Sequence, residues 1–73
     1  MIFEKWLQPL RIRQANKLIS LARFDDAQAL LIKVLDKQPK GKRLTRIYGV
    51  LAETEFARGH FLNSRYYAGL FLQ

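Results

Sequence analysis

Apolar residues recur at steps of three and four along most of the chain, which is the spacing of one face of an α-helix. Asp25 suits the N-cap of such a helix, Asp26 suits its first turn, and Pro39 bars continuation beyond the other end. The pattern predicts a helix over residues 26–37. Its apolar positions are Ala27, Leu30, Leu31, Val34 and Leu35.

The same spacing predicts three further helices. One covers residues 9–22, because Pro9 suits the first helical position, where its missing N–H group is not needed. Another covers residues 44–58 and is closed by Gly59 as a left-handed C-cap, and the last runs from Leu62 to the chain end. No segment shows the sustained period-two alternation of a half-buried strand. The sequence therefore predicts an all-α fold of two antiparallel helical hairpins, with four helices.

Length and composition narrow the class of protein. Seventy-three residues make at most one small domain, so residues 1–73 are expected to form a single unit. The absence of cysteine excludes disulfides, and one histidine, His60, leaves no pair for a histidine metal site. Charged residues interrupt the N-terminal apolar run, so no signal peptide is expected, and no run reaches the roughly 18–20 apolar residues of a membrane span. We expect a cytoplasmic protein with no cofactor, no metal and no membrane span.

The two predicted hairpins align at an offset of 37 positions. In each hairpin a small residue in the first helix precedes a small residue in the second by 12 positions. Two antiparallel helices approach closely only where side chains are small, so each pair is expected at a helix crossing, with a phenylalanine filling the corner at the turn. The corresponding residues are Ala15 with Ala52, Ala22 with Gly59, Phe24 with Phe61, and Ala27 with Ser64.

This combination resembles the tetratricopeptide repeat, in which small residues lie between two helices, an aromatic follows the turn and a proline closes the unit. The resemblance implies a first repeat over about 8–39, a basic linker over 40–43 and a second repeat over about 44–73, stacked as a short right-handed superhelix. The family's W-x₂-L-G-x₂-Y places are only partly apolar in this chain. They hold Arg11, Gln14, Ala15 and Leu18 in the first hairpin, and Tyr48, Leu51, Ala52 and Glu55 in the second.

The resemblance implies a protein-binding function without catalysis. The partner would be another protein or a second copy, with no small-molecule substrate, and the chain would serve as an adaptor, an assembly subunit or a small chaperone. In the family the first helix of each repeat lines a groove that binds a peptide or a helix. Ile12 and Glu53 stand at groove positions where a positive charge would be needed to bind the C-terminal carboxylate of a peptide, so the groove suits an apolar helix better. The residues at the groove positions could equally complete a small hydrophobic core. The groove positions carried over from the family are Ile12, Asn16, Ile19, Arg46, Gly49, Glu53 and Phe56.

Both ends of the chain carry more apolar residues than a small core is expected to hide. The N-terminal segment either folds over the first hairpin or docks, like the C-terminal helix, on a partner or a second copy. A third possibility is that this chain is a piece cut from a longer array of repeats. The residues expected to associate at the ends are Phe3, Trp6, Tyr67, Leu70 and Phe71.

The net charge of +7 favours acidic partners and leaves a small nucleic-acid-binding helical protein as the alternative function. No predicted helix presents the cluster of Arg, Asn and Gln typical of a base-reading face. No catalytic residues are proposed either, because Glu53 and Glu55 fall on different sides of a helix. The basic patch comprises Lys37, Lys40, Lys42, Arg43 and Arg46.

Overall fold

A computed structural model describes the backbone of residues 2–73 and the side chains of residues 10–73. This part of the chain forms four α-helices and contains no strand, which confirms the all-α prediction. The ends of the last three helices lie within two residues of the predicted ones. The helices are α1 (Ile2–Ser20), α2 (Phe24–Asp36), α3 (Lys42–Ala57) and α4 (Phe61–Phe71).

The first helix begins earlier than the sequence pattern predicted. α1 starts at Ile2, so Pro9 lies inside the helix and the prediction of a start at Pro9 was wrong. Proline lacks the N–H group that would bond to the carbonyl four residues earlier. The helix therefore continues through this position with one backbone hydrogen bond fewer.

The second helix is not capped by Asp25, so that prediction was also wrong. The N-cap position belongs to Arg23, which makes no side-chain cap hydrogen bond. Asp26 forms an ion pair with Arg23, and Asp25 instead accepts a hydrogen bond of 2.7 Å from Arg58 of the second hairpin. A guanidinium donor offers Asp25 a charge-assisted bond, which is stronger than a bond to a neutral backbone N–H group.

The turns within the two hairpins have the same backbone hydrogen bonds, displaced by 37 residues. In each turn the residue before the second helix donates its N–H to the carbonyl five positions earlier, at 2.8 Å in both cases. The preceding residue donates to the carbonyl three positions earlier, at 2.9 Å and 3.0 Å. The pairs are Arg23–Leu18 and Ala22–Ile19 in the first turn, and His60–Glu55 and Gly59–Phe56 in the second.

Both turns depend on a left-handed residue. Gly59 has φ of 81°, as expected of a glycine C-cap, and Ala22 has φ of 60° at the corresponding place. The left-handed region costs an alanine about 1–2 kcal/mol through contact of its Cβ with the backbone, a cost that glycine does not have. The first hairpin thus adopts the same turn geometry with a less suitable residue.

The linker between the hairpins reverses the chain with two further left-handed residues. Gln38 has φ of 55° and Gly41 has φ of 65°, and Gly41 occupies the N-cap position of α3. Pro39 lies buried between them. The predicted break in this segment is confirmed, because α2 ends at Asp36, before the proline, and α3 begins only at Lys42.

The helices pack in chain order, with α1 on α2, α2 on α3 and α3 on α4, and α1 also touches α3. The core lies between the first hairpin and α3. α4 has no fully buried residue, so it forms an outer layer on α3. The core cluster consists of Ile12 and Ala15 from α1, Leu31 and Val34 from α2, and Ile47 and Leu51 from α3.

The small residues lie at the helix contacts. The Ser64 hydroxyl donates a hydrogen bond of 2.7 Å to the Ala52 carbonyl, so α3 and α4 touch where the 12-residue spacing predicted. Ala15 and Ala27 are both fully buried between the packed helices of the first hairpin. Because a larger side chain would separate the helices, these positions fix the distance within each hairpin.

The phenylalanines at the turns are less buried than expected. Phe24 is half-buried, while Phe61 is 61% exposed and meets Phe56 edge-on with ring centroids 5.3 Å apart. The expectation that Phe61 fills a corner was wrong. Its ring instead lies with Phe56 on the outer surface.

Ala27→Leu should lower the free energy of unfolding by about 1–3 kcal/mol, because the added carbons have no space between α1 and α2. Ala29→Leu is the matched control, since Ala29 lies exposed on the same helix, and its effect should stay within about 0.5 kcal/mol. Urea unfolding followed by circular dichroism measures both. Equal stabilities of the two variants would contradict a close helix contact at Ala27.

Candidate functional site

Large apolar side chains lie at the surface mainly on the second hairpin. Leu62 is 84% and Leu72 80% exposed, and both belong to α4 or its C-terminal cap. Burial of a large apolar side chain is worth about 1.5–3 kcal/mol, so a partner that covered several of them would bind favourably. The other exposed large apolar residues of this hairpin are Phe56, Phe61, Tyr66 and Phe71.

A cleft of about 410 Å³ lies between α3 and α4. Gly49 allows this geometry, because a Cβ atom there would lie 2.9 Å from the Phe71 ring. Arg46 and Glu53 are the charged residues of the lining, and both are exposed. We call this the α3–α4 cleft; it is lined by Arg46, Gly49, Val50, Ala52, Glu53, Ala68 and Phe71.

The structure brings part of the predicted groove into this cleft. Arg46, Gly49 and Glu53 line it together, one helical turn apart along α3. Two residues of α4, Ala68 and Phe71, form its other wall. The prediction used only the first helix of each hairpin, so it placed Phe71 at an associating end rather than in the groove.

The other predicted groove residues lie elsewhere. Ile12 is 3% exposed and belongs to the core, which leaves little of its side chain to offer a partner. Ile19 is half-buried and Asn16 is exposed on α1. Phe56 is exposed and contacts Phe61. None of these four residues lines the α3–α4 cleft.

The residues expected at the associating ends differ in exposure. Phe3 and Trp6 lie outside the described side chains. Phe71 is exposed and lines the α3–α4 cleft. Tyr67 and Leu70 are half-buried, and Tyr67 packs against the core cluster. The exposed large apolar residues of α4 are therefore Phe71, which was predicted, and Phe61, Leu62 and Tyr66, which were not.

The predicted basic patch is partly gathered at a second, smaller cleft. Lys42, Arg43 and Arg46 line this space of about 220 Å³ together with Ile12. Lys37 and Lys40 lie exposed in the linker that precedes α3. The start of α3 is therefore basic on the side that faces α1, and Arg46 lines both clefts.

A buried carboxylate at the second turn was not predicted as a structural centre. Glu55 is 2% exposed, and its carboxylate accepts hydrogen bonds from Arg58 at 2.5 Å and Asn63 at 3.1 Å. The His60 ring nitrogen Nδ1 lies 3.3 Å away, and Arg58 also reaches Asp25 of α2. We call these five residues the Glu55 network. It links the turn of the second hairpin to α2 of the first.

The sequence did carry a signal for this network. Glu55 stands at the place where the repeat signature has an aromatic residue, and three polar residues follow within eight positions. A carboxylate at a place expected to be buried needs partners of this kind, because burial of an unpaired charge is costly. Their convergence depends on the left-handed turn, which spacing alone does not reveal.

The network holds Glu55 ionised. Burial raises the pKa of its carboxyl group, but hydrogen bonds from Arg58 and Asn63 and the positive charge of Arg58 lower it, and the net pKa lies below the ordinary value of 4.5. Hydrogen bonds to Glu55 and Asp25 raise the pKa of Arg58 in turn. The pair stays charged at neutral pH, and its hydrogen bonds join residues on both sides of the second turn.

Known proteins offer no relative from which a function could be transferred. No family model, curated protein or solved structure matches the chain. Among the residues that the structure describes, no helix combines the length and apolar character needed to cross a membrane. The same residues include no group of three His, Asp or Glu side chains placed to hold a metal ion. A functional proposal therefore depends on the surface of the second hairpin.

Relative to the unchanged chain, Glu55→Gln should lower the free energy of unfolding more at neutral pH than in acid. A lowered folded pKa contributes stability in full above the ordinary value of 4.5, and this contribution is lost as pH falls through the lowered pKa. The difference in free energy of unfolding between the two proteins should therefore shrink between about pH 7 and pH 3.

The control for this pH series is Glu53→Gln, which changes an exposed carboxylate two residues away on the same helix. Its stability difference from the unchanged chain should vary much less with pH. Denaturant unfolding at a series of pH values measures both differences. A Glu55→Gln difference that stays constant, or grows toward low pH, would contradict a network that favours the carboxylate.

Proposed function

We propose that this chain is a non-enzymatic protein-binding module. The observation that carries the proposal is the α3–α4 cleft, an open apolar space whose neighbouring helix surface exposes several large apolar side chains. An apolar cleft with a few charged residues is the usual form of a site for a peptide or helix. Such a surface is stabilised when a partner covers it.

We further propose that the two hairpins are degenerate repeats of the tetratricopeptide kind. The matching hydrogen bonds of the two turns support this reading, as do the starts of α2 and α4 at Phe24 and Phe61, 37 residues apart. The packing of helices in chain order is typical of stacked repeats. Such stacks use their exposed faces for binding, and the α3–α4 cleft belongs to one of these faces.

An adaptor or assembly subunit uses such a cleft to join a lasting complex, and a small chaperone uses it to shield a client helix until assembly. Both forms place the same residues against the partner. We favour an adaptor or assembly role, because an apolar surface of this extent is best suited to continuous burial.

A nucleic-acid-binding function is the second candidate, and one observation favours it. Lys42, Arg43 and Arg46 come together at the smaller cleft, in a chain with a net charge of +7. Clustered lysine and arginine side chains bind phosphates and make affinity strongly dependent on salt. This candidate leaves the apolar surface of α4 without a role, so it ranks second.

Photo-cross-linking in the source cell tests the protein-binding proposal directly. A benzophenone amino acid in place of Phe71 should form discrete protein adducts, because its side chain lies in the α3–α4 cleft. The same amino acid in place of Ala29, which is exposed on α2, is the matched control and should give few adducts. Adducts at Ala29 but not at Phe71 would contradict a binding site in the cleft.

Titration with labelled DNA and RNA distinguishes the second candidate. The protein-binding proposal predicts weak association at physiological salt, with no loss of affinity when Phe71 is changed to Asp. Tight binding that falls steeply between about 50 and 200 mM salt, and that Lys42→Ala and Arg46→Ala weaken, would favour nucleic acid instead.

A further inference from the structure

We propose that the α3–α4 cleft receives an amphipathic α-helix from an acidic partner protein, seated on the second hairpin as α3 is seated on the first. This inference rests on the proposed protein-binding function and names the kind of partner. The first hairpin of the chain already shows how a helix occupies the corresponding face.

The first hairpin provides the template. Its face is made by Ile12 and Ala15 from α1 and by Leu31 and Val34 from α2. α3 covers this face and inserts Ile47 and Leu51 into the same buried cluster. All six side chains are almost completely buried. A helix with large aliphatic residues four positions apart is therefore the natural occupant of such a face.

The corresponding face of the second hairpin is the α3–α4 cleft. Displacing the four face residues of the template by 37 positions gives four residues of the second hairpin, and every one of them lines the cleft. The turns of both hairpins obey the same displacement, so the agreement extends from backbone to side chains. The correspondences are Ile12 with Gly49, Ala15 with Ala52, Leu31 with Ala68, and Val34 with Phe71.

The sizes of these residues indicate what the partner must insert. Gly49 and Ala68 replace the larger Ile12 and Leu31 of the template. The Phe71 ring packs beside Gly49 and fills part of the space that those two side chains fill in the template, and the rest of that space is open in the cleft. The anchors of the partner helix must therefore be at least as bulky as Ile47 and Leu51 of the template, and phenylalanine or leucine suits them better than valine or alanine.

The charges around the cleft favour an acidic helix. Arg46 lines it, Lys42 lies one helical turn earlier on α3, and Arg65 lies one turn before Ala68 on α4. Glu53 is the acidic residue of the lining. With a net charge of +7 on the chain, an acidic partner is attracted and a second copy is repelled.

The sequence of α1 also argues against a second copy as the occupant. At the 37-residue offset α1 is the counterpart of α3, so a head-to-tail copy would offer α1 to the cleft. The residues at the places of Ile47 and Leu51 are then Leu10 and Gln14. Gln14 would place an unpaired amide against an apolar surface, which is unfavourable.

A labelled helical peptide tests the proposal. The probe copies residues 42–57 of α3, is stapled on the face opposite to its anchors, and carries Lys42→Glu, Arg43→Glu, Arg46→Glu, Ile47→Phe and Leu51→Phe. A second peptide has serine at both anchor positions and is otherwise identical. Fluorescence anisotropy against the full chain should show binding of the first peptide, and about tenfold or weaker affinity for the second.

Variants of the chain locate the bound peptide. Phe71→Asp and Ala68→Glu should each weaken binding about tenfold or more, because both place a carboxylate in the cleft. Leu21→Asp is the matched control: Leu21 is an exposed apolar residue at the turn of the first hairpin, outside the lining, so affinity should change by less than about twofold. Circular dichroism melting of each variant shows that the fold is retained.

Several outcomes would overturn the proposal. These are equal binding of the two peptides, binding unaffected by either cleft variant, and a chain that sedimentation shows to be a dimer dissociated by Phe71→Asp. If the peptide fails to bind while photo-cross-linking at Phe71 still yields protein adducts, the protein-binding function stands and the helical partner is wrong. If both fail, the proposed function fails as well.

Discussion

Close approach of two helices at small side chains is the constraint on which this structure depends. Antiparallel helices can touch backbone to backbone only where one of them presents almost no side chain. In the second hairpin the contact is direct enough for the Ser64 hydroxyl to bond to the Ala52 carbonyl at 2.7 Å. A left-handed residue two positions before each second helix then sets the turn, at Gly59 and at Ala22. Spacing and turn together produce two hairpins of the same form.

The two hairpins have matching turn hydrogen bonds but different surroundings. α3 covers the first hairpin and buries its face, whereas the corresponding face of the second hairpin is the open α3–α4 cleft. The two turns also differ in one buried side chain. At the place of half-buried Leu18, the second hairpin has Glu55, which is buried and bonded to Arg58, and Arg58 extends to α2. Through Arg58 the polar network of the second hairpin therefore reaches the first, while several large apolar side chains of the second hairpin are exposed.

Much of the fold could be predicted from the sequence, because helical periodicity and small-residue spacing are local signals. The four helices, the Gly59 cap and the contact of Ala52 with Ser64 are confirmed on those grounds. The predicted start of α1 and the predicted capping role of Asp25 were wrong. A proline is tolerated inside α1, and Asp25 bonds to Arg58 of the second hairpin instead of capping α2. Three residues that line the cleft, Arg46, Gly49 and Glu53, are among the predicted groove positions, whereas the contribution of α4 depends on how two helices pack in space.

The central claim is that the two hairpins pack alike and that, among the described residues, no helix covers the face of the second hairpin. At the 37-residue offset Gln73 corresponds to Asp36, so a copy of residues 37–57 placed directly after Gln73 would lay a second α3 over the cleft. The free energy of unfolding of this extended chain should then exceed, by about 2 kcal/mol or more, that of a second extended chain in which the added copies of Ile47 and Leu51 are replaced by serine. Equal stability of the two extended chains would contradict the account.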